Sequence, residues 1–261
     1  MIRHLLRAFG VYALYEALLL RGVSKREPPR HIAVILDGNR RWAKQNGLSI
    51  EEGYRMGAKR VEELLRWCLE LGVNTVTLYV LSLENMIRRP KEEVETIYKV
   101  LVESTERFLL DEEVRSKGVR VKVIGRNWVL PEEVASALER LERETSHNSN
   151  HFLILAVAYG GRDEIIQAVR RVAHDVSRGE LSLEDVNEDV FSRYLFTGEL
   201  PFPEPDLVIR TSGEERISNF LLWQIAYSEL IFLDVYWPEF RRIDLLRAIR
   251  TYQARSRRFG A

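Results

Sequence analysis

The chain has 261 residues, 46% apolar and 30% charged, with 39 Lys/Arg against 39 Asp/Glu. These values exclude a disordered or membrane-embedded chain, and the zero net charge gives no electrostatic case for nucleic acid as a partner. The ends are nevertheless basic: residues 1–30 carry six Lys/Arg and two Glu, and residues 241–261 carry seven Arg and one Asp.

Taken in chain order, the first segment, 2–23, is apolar and aromatic with Arg3, Arg7, Glu16 and Arg21 interspersed. Its longest charge-free run, Ala8 to Tyr15, falls far short of the ~20 residues a spanning helix needs. No small-residue cleavage site follows, which argues against a signal peptide. At about 100° per residue, Arg3, Arg7, Gly10 and Arg21 share one narrow stripe. Such a helix suits a membrane surface, a partner or the chain's own domain, and the pattern leaves these open.

Apolar, β-rich runs then recur at 31–36, 74–81, 119–124, 152–158, 206–210 and 230–235. Helical periodicity separates most of them, at 54–71, 91–110, 131–147, 162–178 and 219–227, and a last helix is expected at 243–254. Alternation of this kind predicts an α/β fold: one domain over 29–261 with a central six-stranded, mostly parallel sheet flanked by helices on both faces. Residues 1–28 form an N-terminal helix and linker. The stretch 187–205, with Pro201, Pro203 and Pro205, is expected to be irregular. Cys68 lies in an apolar helical pattern and reads as core filler. A single cysteine permits no internal disulfide and suits a reducing, cytoplasmic setting.

The polar clusters share an address, the carboxyl ends of the strands, where open parallel sheets bind ligands. The first run ends in Asp37-Gly38-Asn39-Arg40-Arg41-Trp42. A strand that stops at Asp-Gly and passes into a helix presents backbone N–H groups to an anion. The two arginines can grip phosphate oxygens, and the carboxylate can hold a divalent cation. Ser82-Leu-Glu84-Asn85 follows the second run and Tyr159-Gly-Gly-Arg162 the fourth. After the fifth comes Arg210-Thr-Ser-Gly-Glu214-Glu-Arg216-Ile217-Ser218, with Ser218 placed to cap a helix starting at Asn219. Two anion pockets on one edge point to two phosphorylated substrates. Nucleotide loops, zinc spacings and a nucleophile elbow are all absent from the sequence. The remaining metal candidates are the carboxylates of Asp37, Glu84, Glu214, Glu229 and Asp234, whose oxygens favour Mg²⁺.

HIAVILDGNRRWA, LYVLSLEN, AYGGRDEI, DLVIRTSGEERISNFLLWQIAYSELIFLDVYWPEF and the closing RRFG resemble the cis-prenyltransferases, the undecaprenyl and dehydrodolichyl diphosphate synthase family, from about residue 29 to 260. The resemblance implies a Mg²⁺-dependent transferase that adds isopentenyl diphosphate units in Z configuration to an allylic primer, farnesyl or geranylgeranyl diphosphate. The product would be a long-chain polyprenyl diphosphate, precursor of a glycosyl carrier lipid. By the same resemblance, Asp37 binds Mg²⁺, and Gly38, Asn39, Arg40, Arg41 and Arg88 cradle the allylic diphosphate beside Trp42. Arg210, Arg216 and Ser218 hold isopentenyl diphosphate, with Ile217 between them, and Ser82 and Asn85 match a pair implicated in proton removal. Glu84, Met86 and Tyr54 fall among the substrate-binding positions. Glu229 matches a second metal carboxylate, and Arg258 and Gly260 match an R-x-G that reaches a partner's phosphates in a homodimer.

The growing lipid needs an apolar tunnel, expected between 74–81 and 91–110, with Val80, Val100 and Phe108 as walls. Peripheral contact of residues 1–23 with the cytoplasmic face of a membrane would ease product release. Four positions depart from the family pattern: Ile50 and Tyr54 replace a usual Arg and His, Met86 an aromatic, and Ala158 an Asn. The family also contains non-catalytic scaffold subunits of heteromeric enzymes. Those tend to lose the Asp-Gly-Asn and Arg-x-Ser groups, which this chain keeps.

Overall fold

His31–Ile35, buried at every position and β-branched at Ile32, Val34 and Ile35, forms the first strand, β1. The computed structural model describes residues 11–255; the N-terminal Arg3, Arg7 and Gly10 and the terminal Arg258 and Gly260 lie outside the described residues. Helix α1 (Val11–Val23) precedes β1. After it come α2 (Asn39–Gln45), α3 (Ile50–Glu70), β2 (Thr75–Ser82), α4 (Leu83–Arg88), α5 (Lys91–Leu110), α6 (Glu112–Ser116), β3 (Val119–Ile124), α7 (Glu132–Thr145), β4 (His151–Tyr159), α8 (Gly161–Ser177), α9 (Glu188–Arg193), β5 (Leu207–Arg210), β6 (Glu229–Phe232) and α10 (Arg242–Ala254).

The sheet order is β3-β4-β2-β1-β5-β6, and every pair is parallel. The chain winds from β1 outward on one side through β2 to β4, then returns to place β5 on the other side of β1. The topological switch, where a crevice opens beyond the strand ends, therefore lies at β1 and β5. Because side chains alternate along a strand, Ile32, Val34, Leu78, Leu155 and Ile209 face one core with Leu64 and Leu65 of α3, Ile97 and Leu101 of α5, Leu138 of α7 and Leu246 of α10. Ala33, Ile154, Ala156 and Val208 face a second core with Leu200, Phe220 and Ile225. Cys68 is buried in the first core, which pushes its thiol up to about 12 and leaves it a packing residue.

Two expectations about elements are corrected. No helix forms over 219–227: Ser218, Asn219 and Leu221 all take left-handed backbone, with φ of 49°, 64° and 44°, which a right-handed helix cannot propagate. Ser218 consequently caps nothing. The stretch 187–205 is not wholly irregular, because Asn187 accepts the Val190 N–H and starts the short α9. Helix α3 begins at Ile50, four residues before the periodicity appears, because Ser49 and Glu52 form a reciprocal capping box.

Candidate active site

Asp37 stands just past β1, at the switch. Its backbone is pinned before its side chain is used: its carbonyl accepts from Thr211 Oγ1 (2.7 Å) and Trp237 N–H (3.0 Å), and its N–H donates to Thr211 Oγ1 (3.1 Å). Gly38 then turns at φ 109°, and a Cβ there would lie 2.6 Å from Tyr236 Cδ1. The Asp37 carboxylate accepts from Arg210 (2.7 Å) on one oxygen and Arg41 (3.0 Å) on the other. Burial raises its pKa, but the two guanidinium groups outweigh burial and hold the carboxyl below its ordinary range.

Arg210, at the end of β5, has a side chain only 5% exposed. Its other donors go to Ser218 Oγ (2.8 Å) and the Arg216 carbonyl. Its Nε is buried without a partner in the protein. Asp37, Arg210, Arg216 and Ser218 line one cleft together with Ser82, Glu84, Asn85, Arg88, Arg89 and Asn219. Ser82 Oγ accepts the Asn85 N–H and caps α4, so the sequence pair Ser82/Asn85 is one turn of structure. Leu36 and Val80 line this cleft and also a second, apolar cavity. Val80, Val100 and Phe108 all line that cavity, as do Tyr54 and Leu101.

The rest of the Asp-Gly-Asn-Arg-Arg-Trp motif flanks the cleft. Asn39 Nδ2 donates to the Leu36 carbonyl (3.1 Å), and its side chain abuts Gly57 and the apolar cavity. Arg41 also reaches Ser212 (2.7 Å) and Glu214 (3.1 Å). Arg40 pairs with the buried Glu93 (3.0 Å). Trp42 is half-buried, in the first turn of α2. Met86 packs on the first core and Ile217 on the second.

Sequence reasoning missed Arg89 and Glu93. Glu93 accepts from Arg40, Arg89 (3.0 Å) and Tyr54 (2.7 Å). Arg89 is the more enclosed of the two neighbouring arginines, and Arg88 is exposed. The signal was present in Pro90, which forces the residue before it into extended backbone and ends α4 there. Tyr54 is therefore no bare loss of a cation, since its hydroxyl links Glu93 to the Arg89 guanidinium. Ile50 opens α3 and is 44% exposed. Ala158, the penultimate residue of β4, takes left-handed backbone at φ 48°.

The metal candidates do not converge. Among the described residues no three His, Cys, Asp or Glu side chains gather as a metal cage. Glu214 pairs with Arg41 and Arg216, and Glu84 accepts from Asn219. Glu229 starts β6 in register with Leu207, which is in register with Ile32, and it pairs with Arg255. Asp37 lies five residues beyond Ile32, just past the end of β1 and roughly 16 Å toward the other edge of the sheet. One chain therefore does not bring Glu229 to Asp37.

The prenyltransferase family model described as undecaprenyl diphosphate synthase matches residues 35–260. The chain belongs to this family of cis-prenyltransferases. It is 50% identical over 250 residues to the geranylgeranyl-diphosphate-specific tritrans,polycis-undecaprenyl-diphosphate synthase of Methanopyrus kandleri, covering 96% of this chain and 91% of that one. The synthase of the same description from Pyrococcus horikoshii is 48% identical, over 99% of this chain and 98% of its own. The crystal structure of lavandulyl diphosphate synthase from Lavandula x intermedia with dimethylallyl diphosphate superposes with a TM-score of 0.84 at 34% identity, covering 90% of this chain and 99% of that one. In this cis-prenyltransferase no helix among the described residues is long and apolar enough to cross a membrane.

Proposed function

We propose that the chain extends geranylgeranyl diphosphate with several isopentenyl diphosphate units in Z configuration, giving a polyprenyl diphosphate of the length used for glycosyl carrier lipids. The observation that carries this is the pair of spaces meeting at Leu36 and Val80: a cleft lined by four arginines opens beside an apolar cavity. An anionic head with a long hydrocarbon tail is the ligand that satisfies both. Each CH₂ moved into the cavity gains about 0.8 kcal/mol, so every five-carbon addition is drawn inward. The choice of geranylgeranyl over farnesyl diphosphate follows the geranylgeranyl-diphosphate specificity of the Methanopyrus kandleri and Pyrococcus horikoshii synthases.

In this reading, Arg210 and its neighbours stabilise the negative charge that grows on the departing diphosphate. They are preplaced, and Arg210 is withdrawn from water, which strengthens the interaction. Asp37 supplies one carboxylate at the head of the cleft. That suits Mg²⁺, which commonly takes one or two carboxylates and completes its shell with substrate phosphates and water. Bound there, Mg²⁺ would neutralise phosphate charge as a Lewis acid. Ser82 and Asn85 line the same cleft and would relay the proton lost from the isopentenyl unit to the departing diphosphate. A homodimer would bring the basic tail, with Arg258 and Gly260, and Glu229 to a partner's site. On α1, Leu14 and Leu18 are 64% and 59% exposed, one turn apart, and offer an apolar ridge to a lipid surface.

The test is extension of geranylgeranyl diphosphate by radiolabelled isopentenyl diphosphate with Mg²⁺. Label should pass into long-chain lipid, and an equal rate from farnesyl diphosphate would overturn the primer assignment. Asp37→Ala should lose turnover by about 10²-fold or more with unchanged thermal unfolding. EDTA should silence the wild type.

A further inference from the structure

Tyr159-Gly160-Gly161-Arg162 fits no nucleotide loop, yet it sits at the same sheet edge as the cleft. What it surrounds is Asn219. The Asn219 carbonyl accepts the Gly161 N–H (2.7 Å), and its Oδ1 accepts the Arg162 N–H (2.9 Å). Its Nδ2 donates to Glu84 Oε1 on α4 (2.6 Å). A Cβ at Gly160 would lie 2.8 Å from that Nδ2, and one at Gly161 would lie 3.1 Å from the Asn219 carbonyl oxygen. Gly160 therefore leaves room for the Asn219 side chain, and Gly161 for the Asn219 backbone and Leu222. Asn219 takes φ 64°, a left-handed conformation that Asn tolerates better than most residues.

The three tied segments carry opposite halves of the cleft. Glu84 belongs to α4, which presents Asn85 and Arg88 and leads to Arg89. Asn219 directly follows Ser218, held by Arg210, and Arg216. We propose that Asn219 and Glu84 form a brace that sets the distance between the allylic and isopentenyl subsites. Glu84 then acts as a positioning residue, not as a phosphate or metal ligand. The inference rests on the proposed reaction, because it concerns the approach of its two substrates. Misplacement of about 1 Å between reacting groups costs on the order of 10²-fold in rate, whereas each diphosphate keeps its own arginines.

The experiment uses the full-length protein with geranylgeranyl and isopentenyl diphosphates and Mg²⁺. Asn219→Asp keeps the left-handed backbone and the acceptor for Arg162, but sets a carboxylate against that of Glu84. kcat should fall by about 10²-fold, while KM for each substrate stays within about threefold. The double variant Asn219→Asp, Glu84→Gln restores a donor facing an acceptor with the polarity reversed, and kcat should recover at least about tenfold. Gly160→Ala, whose extended backbone any residue can adopt, should reproduce the loss by pushing on Nδ2. An undiminished kcat in Asn219→Asp, a loss confined to KM, or a double variant no better than the single one overturns the brace alone. A wild type that extends no primer overturns the proposed reaction and the brace with it.

Discussion

Asp37 and Arg210 are readable from sequence because their chemistry is written next to a strand end. Arg89, Glu93 and Asn219 are not, because their meaning comes from partners supplied by other segments: Glu93 from α5 joins Arg40 from α2 and Tyr54 from α3. His31 shows the same limit from the structural side. The sequence assigns it no role, and the structure makes it a satisfied core group. Its Nδ1–H donates to the Phe202 carbonyl (2.8 Å) and its Nε2 accepts from Thr77 Oγ1 (2.8 Å). Burial drives the imidazole down to about 4, against the Phe202 carbonyl and Asp206, which pull it upward. The folded state therefore holds His31 neutral, while the unfolded chain takes up a proton below pH 6.5. Stability is fully present above pH 6.5 and is lost as pH falls toward 4, by about 3 kcal/mol from this group. Denaturant titrations at pH 7, 5.5 and 4 should show that loss in the wild type and lose it from the difference with His31→Gln. A parallel pair of curves would refute the assignment.

At the scale of elements, periodicity found the six strands and the long helices, and α5 matches its expected bounds of 91–110. It failed at 219–227, where Phe220, Leu221 and Ile225 reproduce helical spacing but face the second core from a chain of turns. Hydrophobic spacing reports which side chains are buried and is blind to backbone hand. The closeness of α2 to α3 was equally illegible, because a glycine in a helix looks like a defect. At Gly57 an added Cβ would lie 2.2 Å from Asn39 Oδ1 and 3.2 Å from Trp237 Cδ1. The Trp237 Nε1–H also donates to the Gly57 carbonyl (2.9 Å). Gly57 thus lets α3 lie against the segment that carries Asp37. Helix propensity alone would make Gly57→Ala stabilising by about 1 kcal/mol. Overpacking reverses the sign and should leave the variant about 1–3 kcal/mol less stable, measured by urea unfolding. A gain in stability would show that the two helices have slack between them.

For the whole molecule, the question is how many chains make one site. Asp37 and Arg210 lie at the carboxyl edge of the sheet and Glu229 at the amino edge, so a fold of this topology cannot bring them together without a second copy. The basic tail, with Arg258 and Gly260, poses the same question, since a closed dimer places each tail either on its own cleft or on its neighbour's. Mixing two inactive variants separates these. One carries Asp37→Ala, and the other lacks residues 257–261. If each site combines Asp37 from one chain with the tail of the other, a mixed dimer holds one intact site and one doubly damaged site. Random re-association of equal amounts makes half the dimers mixed, so activity should recover to about a quarter of the wild-type value. If the tail serves its own chain, every site in every dimer stays damaged and nothing is recovered. Co-refolding followed by the radiolabel assay gives the number, and absence of recovery alongside proven mixed dimers would reject the shared site. The outcome also fixes the meaning of Glu229→Ala: in a shared site it should fail with Asp37→Ala on one chain and complement it on opposite chains.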